Sequence, residues 1–298
     1  MVARGHAAAS MPVGRWRWMD LLALTKPRIT ALVLVTTGVG FYLATTGVVD
    51  VALLLRTLLG TALLAGGTNA LNQYAERGPD ARMMRTRDRP IPSGRLAPGV
   101  ALGFAAGISA AGALYLALAV NPLTALLGVC ALGMYVFLYT PLKPRTWWCT
   151  IVGAVPGAIP PVMGWAAVRG EVGAVAWVLF GIVFLWQLPH FYAIAWIYRS
   201  DYARAGFPML PVVDTDGSRT SRQIVASTLA LVAVSVWTSV LGLTGALYLA
   251  GALALGAAFL GFGVRLAGRR SGPAARRLFL ASVVYLPVLL LLMVVDKV

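Results

Sequence analysis

Acidic residues are scarce in this chain: 10 Asp and Glu stand against 25 Lys and Arg among 298 residues, and charged residues total only 12%. Soluble domains devote about a quarter of their residues to charge. The 59% hydrophobic content and mean hydropathy of +0.79 therefore exclude a water-bathed globule and imply an integral membrane protein. Cysteine is nearly absent. Cys130 lies inside an apolar run and Cys149 at the edge of another, with no CxxC or Cys/His spacing. This excludes a disulfide framework or zinc site and leaves both as packing residues. Histidine is confined to His6 in the polar leader and His190. The net charge of +15 finds no soluble basic module through which to bind nucleic acid, so no such partner is expected. No small-residue cleavage pattern follows the first apolar run, which begins near Leu21 and outlasts a signal peptide; it is expected to stay as a membrane helix.

What is abundant is apolar length. A helix needs about 20 apolar residues to cross the hydrocarbon core, and nine segments qualify: 25–46, 51–74, 100–120, 122–140, 149–168, 175–197, 224–242, 246–266 and 278–295. Several connections are too short to be domains. The expected fold is all-α, a polytopic bundle of nine transmembrane helices, with residues 1–20 as an N-terminal segment and 21–298 as one transmembrane domain.

Placed on alternating connections, 22 of the 25 basic residues fall on one side and 3 (Arg56, Arg169 and Lys297) on the other. The positive-inside rule then predicts a cytoplasmic N-terminus, cytoplasmic large loops and an external C-terminus. The two long connections, 75–99 and 198–223, both follow an apolar helix on the basic side and lie four helices apart, which suggests a duplicated four-helix unit.

The stretch "NALNQYAERGPDARMMRTRDRPIPSGR" (69–95) packs nine charged side chains into 27 positions. Asn72, Glu76 and Asp80 recur every four residues, one face of a continuing helix, although Gly78-Pro79 is expected to loosen or end that helix before Asp80. Oxygen donors at a helix end suit a hard cation such as Mg²⁺, which takes one or two carboxylates together with water and phosphate oxygens. Arg82, Arg85, Arg87, Arg89 and Arg95 follow, and guanidinium groups hold phosphate oxygens bidentately. Acids for the cation beside arginines for the anion match a diphosphate ester. The plainer reading is a basic loop whose acids soften its charge. The second connection repeats the theme: "WIYRSDYARAGFPMLPVVDTDG" (196–217) sets Asp201 between Arg199 and Arg204, while Asp214 and Asp216 in "DTDG" read more simply as a turn.

"LTKPRIT" (24–30), Asn-x3-Glu-x3-Asp-x2-Met-x-Arg-Thr-x2-Arg-Pro over 72–90, "YTPLKPRT" (139–146), "GAIPPVMGW" (157–165), "WQLPHF" (186–191) and "DYARAGFPMLP" (201–211) together resemble the protohaem IX farnesyltransferases. These form the haem-specific branch of the membrane-bound, UbiA-type aromatic prenyltransferase superfamily. The resemblance covers about two thirds of the chain. It implies a nine-helix bundle around a lipid-accessible central cavity in the bacterial plasma membrane. It also implies an Mg²⁺-dependent transfer of the farnesyl group of farnesyl diphosphate to a vinyl group of protohaem IX, with addition of water and loss of diphosphate. Carried over by residue, Asn72, Glu76, Asp80 and Asp201 become the catalytic metal site, and Arg85, Arg89, Lys143 and Arg82 the diphosphate binders. The partners implied are both substrates, the lipid bilayer, and a haem A synthase or oxidase-assembly protein to receive the product.

Ionising an allylic diphosphate develops negative charge on the leaving group and positive charge on the prenyl carbon. Aromatic faces stabilise the latter, and Tyr74, Tyr139, Trp165, Phe191 and Tyr198 are candidates, with Tyr139 and Tyr198 assigned to substrate binding. His190, the one histidine within a predicted span, is assigned there too; it reads either as a haem contact or as a hydrogen-bonded residue of the bundle. Lys26 and Arg28 are candidate partners of the haem propionates. Competing readings are a prenyltransferase acting on a hydroxybenzoate or naphthoate ring, a secondary transporter, and a non-enzymatic oxidase-assembly factor. Transporters, however, usually place their charges near the midplane rather than in loops.

Overall fold

A computed structural model describes residues 18–298, so Arg4, His6, Arg15 and Arg17 lie outside the described residues. The helices run α1 Trp18–Leu24, α2 Pro27–Ala44, α3 Val51–Ala75, α4 Arg77–Arg82, α5 Pro98–Ala119, α6 Pro122–Gly133, a π-helical turn Met134–Tyr139, and α7 Thr140–Leu142. They continue as α8 Cys149–Arg169, α9 Ala174–Ile197, α10 Arg199–Ala205, α11 Leu210–Val213, α12 Ser218–Val240, α13 Ala246–Arg269 and α14 Gly272–Val295. Among the described residues nine helical stretches are long and apolar enough to span a membrane, counting α6 through α7 as one.

Several ends follow from local chemistry. Pro opens α2, α5, α6 and α14, where its fixed φ suits a helix start and its missing N–H is not needed. Asp50 and Asn121 cap α3 and α6 by accepting from Leu53 N (2.9 Å) and Thr124 N (2.8 Å). The predicted spans 224–242 and 278–295 are too short: α12 begins at Ser218 and α14 at Gly272, so Arg222, Arg276 and Arg277 are helical. Apolarity marks the hydrocarbon-buried stretch alone, whereas the helix continues into the interface, where long basic side chains reach water.

Helix α8 is the axis. Its most apolar window is 72% buried, against 22–44% for the other eight spans, and it packs on α2, α6 and α9. The remaining contacts run α2–α3–α5–α6 on one flank and α9–α12–α13–α14 on the other, with α14 returning to α9 and α2. Two glycines set the α2–α8 crossing: a Cβ on Gly164 would lie 1.9 Å from Thr37 O, and one on Gly40 would lie 2.0 Å from Pro161 O. At the end of the bundle away from the long loops, Lys297 Nζ donates to the α2 carbonyl of Tyr42 (2.8 Å) and to Thr45 O (2.5 Å). Exposed Leu55, Leu114, Leu118 and Phe137 leave an apolar outer face suited to lipid. The protein is an integral membrane protein.

Candidate active site at the mouth of the bundle

The long connections meet at one end of the bundle. Helix α3 ends at Ala75, and Glu76 (φ −90°, ψ 7°) closes it and opens α4. The helix ends before Asp80, as Gly78-Pro79 led one to expect: Pro79 has no N–H to donate to the carbonyl of Ala75, the last residue of α3. Pro79 itself lies in the first turn of α4, where it is tolerated. The four-residue bonding also survives: Glu76 N donates to Asn72 O (2.9 Å) and Asp80 N to Glu76 O (2.8 Å). Asn72, Glu76 and Asp80 therefore stay on one stripe and all line a cavity of about 190 Å³.

Cations oppose them. Lys143, one residue past α7, brings Nζ to 2.5 Å from Glu76 Oε1, with both side chains buried. Burial pushes the Glu76 carboxyl up, but the charge and hydrogen bond of Lys143, helped by Lys26 and Asn72, hold it below the usual value of 4.5. Burial likewise works against the Lys143 ammonium, and Glu76 with the neighbouring tyrosines more than offsets it, so Lys143 is held well above 10.5. Arg89 donates to Asp80 Oδ2 (2.6 Å). For Asp80 burial dominates over Arg89 and raises its pKa, with Glu76 adding to the rise. Its second oxygen, Oδ1, is buried with no hydrogen-bond partner among the described residues, which is costly unless a ligand completes it. Asn72 bridges the group, accepting from Lys26 Nζ (3.3 Å) and donating to Thr140 Oγ1 (3.1 Å).

Lys26, a candidate partner of the propionates by sequence, lines this cavity beside the acids. It sits between α1 and α2 with a left-handed φ of 47°, a conformation uncommon outside glycine. Burial first, then Arg89 and Lys143, lower its pKa to about 7. Arg28 does not line the cavity.

The second connection closes over the first. Asp201 on α10 accepts from Arg85 N (3.4 Å) and pairs with Arg204. Arg85 in turn donates to Tyr202 Oη (3.2 Å) and lies over the Tyr198 ring, 5.0 Å from its centroid. Arg85, Arg89 and Tyr139 line the cavity; Asp201, Tyr198, Arg82 and His190 do not. Asp201, expected among the metal ligands, accepts from the backbone of the arginine loop. Arg82 lies on the exposed side of α4. His190 faces α14, its Nδ1 2.7 Å from Ser282 Oγ and its ring stacked on Trp186 at 5.1 Å. Asp214 accepts from Thr220 N and Oγ1 (2.7 and 2.8 Å), capping the start of α12, so "DTDG" is the turn it resembled.

Sequence reasoning missed Tyr135 and Tyr202, which also line the cavity. Tyr135 and Tyr139 pack at 4.9 Å between centroids on the π-helical turn, and Lys143 Nζ lies 4.5 Å from the Tyr139 centroid. A π turn spaces residues for which an α-helical period gives no cue, and it often marks functional sites.

The arrangement suits a hard cation. Among the described residues no three of His, Cys, Asp or Glu form a ligand set of their own, but two carboxylates with one unpartnered oxygen, facing Lys and Arg, match the way Mg²⁺ shares its coordination with water and phosphate.

Residues 33–286 match the UbiA prenyltransferase family. The chain is 51% identical over 287 residues to a protoheme IX farnesyltransferase of Solibacter usitatus, covering 93% of this chain and 98% of that one. Its fold is similar to that of a digeranylgeranylglyceryl phosphate synthase (TM-score 0.79, 15% identity, 94% and 98% coverage). It is similar also to a UbiA homologue from Archaeoglobus fulgidus bound to GPP and Mg²⁺ (TM-score 0.66, 14% identity, 92% and 99% coverage). The chain belongs to the UbiA prenyltransferase family and within it groups with the protoheme IX farnesyltransferases.

Proposed function

We propose that this protein transfers the farnesyl group of farnesyl diphosphate to a vinyl group of protohaem IX, giving haem O and diphosphate. The reading rests on one juxtaposition: Asn72, Glu76 and Asp80 face Lys26, Arg85, Arg89 and Lys143 across a single cavity. The 51% identity to a protoheme IX farnesyltransferase supports the choice of haem over a hydroxybenzoate or naphthoate ring.

Glu76 and Asp80, with the Asn72 carbonyl beside them, would hold Mg²⁺, which when bound neutralises charge building on the diphosphate. Arg85, Arg89, Lys143 and Lys26 take the remaining phosphate oxygens and stabilise the leaving group more than the bound ester, which lowers the barrier to ionisation. Asp201 acts as a positioning residue that keeps Arg85 at the mouth. The rings of Tyr135 and Tyr139 present negative faces to the allylic cation. The C–O bond to diphosphate breaks, the vinyl π electrons form the new C–C bond, and the cation left next to the macrocycle is captured by water, which loses a proton. The excess of Lys and Arg at the mouth supports a cytoplasmic orientation by the positive-inside rule, with a haem A synthase or oxidase-assembly protein as the proposed recipient of the product.

The test is incubation of purified protein with protohaem, farnesyl diphosphate and Mg²⁺. A hydroxyfarnesylated haem that disappears on chelation is expected. Prenylation of a phenolic acid alone would overturn the choice of acceptor, and liposomal uptake of an unmodified solute would favour a transporter.

A further inference from the structure

We propose that the turn between α13 and α14 is a binding site for the phosphate of an anionic phospholipid, separate from the active-site cavity. A small pocket of about 60 Å³ is lined there by the exposed Arg265 and Arg269 from the end of α13, Ser271 at the turn, the exposed Arg277 from the first turns of α14, and Phe262. It shares no lining residue with the active-site cavity. It lies at the same end of the bundle, since Arg270 reaches Asp216 (3.4 Å) just before α12.

Three features point to a phosphate. No acid lines the pocket, and none of its three arginines has an ion pair among the described residues. Guanidinium groups converging without a carboxylate repel one another unless an anion joins them, and their planar forks fit phosphate oxygens. The Ser271 side chain makes no capping bond to α14, so the positive end of that helix dipole at the turn is not offset by a side-chain acceptor.

Two features point to a lipid rather than a soluble anion. Both helices are membrane spans, which places their shared end at headgroup level, where basic pockets between helices bind anionic lipids. Pro273 and Arg277 line the pocket, and the same α14 stripe continues through Leu280 and Val284, 54% and 60% exposed, as a track for an acyl chain. A topology signal alone requires basic residues somewhere on this side; it does not require three of them to meet at one pocket.

The test is native mass spectrometry of the full-length protein titrated with phosphatidylglycerol or phosphatidylcholine. Wild-type protein is expected to retain one phosphatidylglycerol in preference to phosphatidylcholine. Arg265→Gln/Arg269→Gln/Arg277→Gln is expected to lower that preference at least about tenfold. Arg87→Gln/Arg145→Gln/Arg222→Gln removes the same charge elsewhere and is expected to leave it intact. Arg277→Gln alone, should the triple variant fail to fold, is expected to lower it about threefold. Equal losses in the two triple variants, or no preference in the wild type, would overturn the site. Displacement of the lipid by millimolar inorganic phosphate would overturn the lipid assignment.

Discussion

Lys143→Met tests the centre of the site. The substitution keeps most of the stem and removes an ammonium 2.5 Å from Glu76 Oε1, leaving a carboxylate whose side chain is only 7% exposed. Breaking one side of a buried pair costs about 3–5 kcal/mol, because the remaining charge has no partner. Here the pair lines a cavity, so we expect the low end, about 3 kcal/mol, or a fall of roughly 6 °C in apparent unfolding temperature. The sign with pH follows from the shifts. Glu76 is held below 4.5, so its contribution is present above that value and lost as pH falls through the lowered one. Lys143 is held above 10.5, so its contribution is complete below 10.5 and lost as pH rises through the raised value. The wild-type advantage should therefore be flat from about pH 5 to pH 10 and shrink outside that window. Removing both partners in Glu76→Gln/Lys143→Met should recover part of the loss. Turnover in Lys143→Met should fall about 10²–10³-fold, the scale seen when one electrostatic donor to a developing charge is deleted. Thermal scans in detergent and product formation read the two effects. A variant as stable and active as wild type at neutral pH would refute the assigned coupling.

Asp80→Ala and Arg85→Ala should each lower turnover at least about a hundredfold while the protein remains inserted and folded, since each removes charge stabilisation rather than packing; wild-type turnover in folded variants would refute those roles. Lys26, with its pKa lowered to about 7, binds fewer protons folded than unfolded between pH 7 and 10.5, so keeping it charged below pH 7 costs stability. Lys26→Met should accordingly raise the unfolding temperature at pH 6 while weakening farnesyl diphosphate binding, and a drop in both would refute its placement. Gly164→Ala should destabilise by about 2–4 kcal/mol or block folding, since its Cβ would sit 1.9 Å from Thr37 O. His190→Asn should lose about 1 kcal/mol with its Ser282 bond yet keep turnover within a few-fold; a folded but inactive variant would restore the haem contact.

The number of spans was legible because hydropathy counts them directly, and the Asn72–Glu76–Asp80 stripe because a four-residue period survives a helix break that keeps its backbone bonds. The helix starts at Ser218 and Gly272 were not, since a charged residue looks alike on a helix in the interface and on a loop. The bond from Arg85 N to Asp201 joins positions 116 apart, and no local pattern encodes that distance. Tyr135 was invisible for another reason: lipid-facing helices are apolar on every side, so periodicity cannot say which flank meets a cavity. Lys26 was visible beside Pro27, but the direction of a residue in left-handed backbone cannot be read from its neighbours.

The groups around the cavity ride on two different carriers. Asn72 and Lys143 belong to helical ends rooted in the bundle, whereas Asp80, Arg85 and Arg89 sit on the connection beyond the break at Glu76. A headgroup with two phosphates can touch both carriers at once and so acts as a fastener between them. When diphosphate departs, both carriers lose that shared contact together.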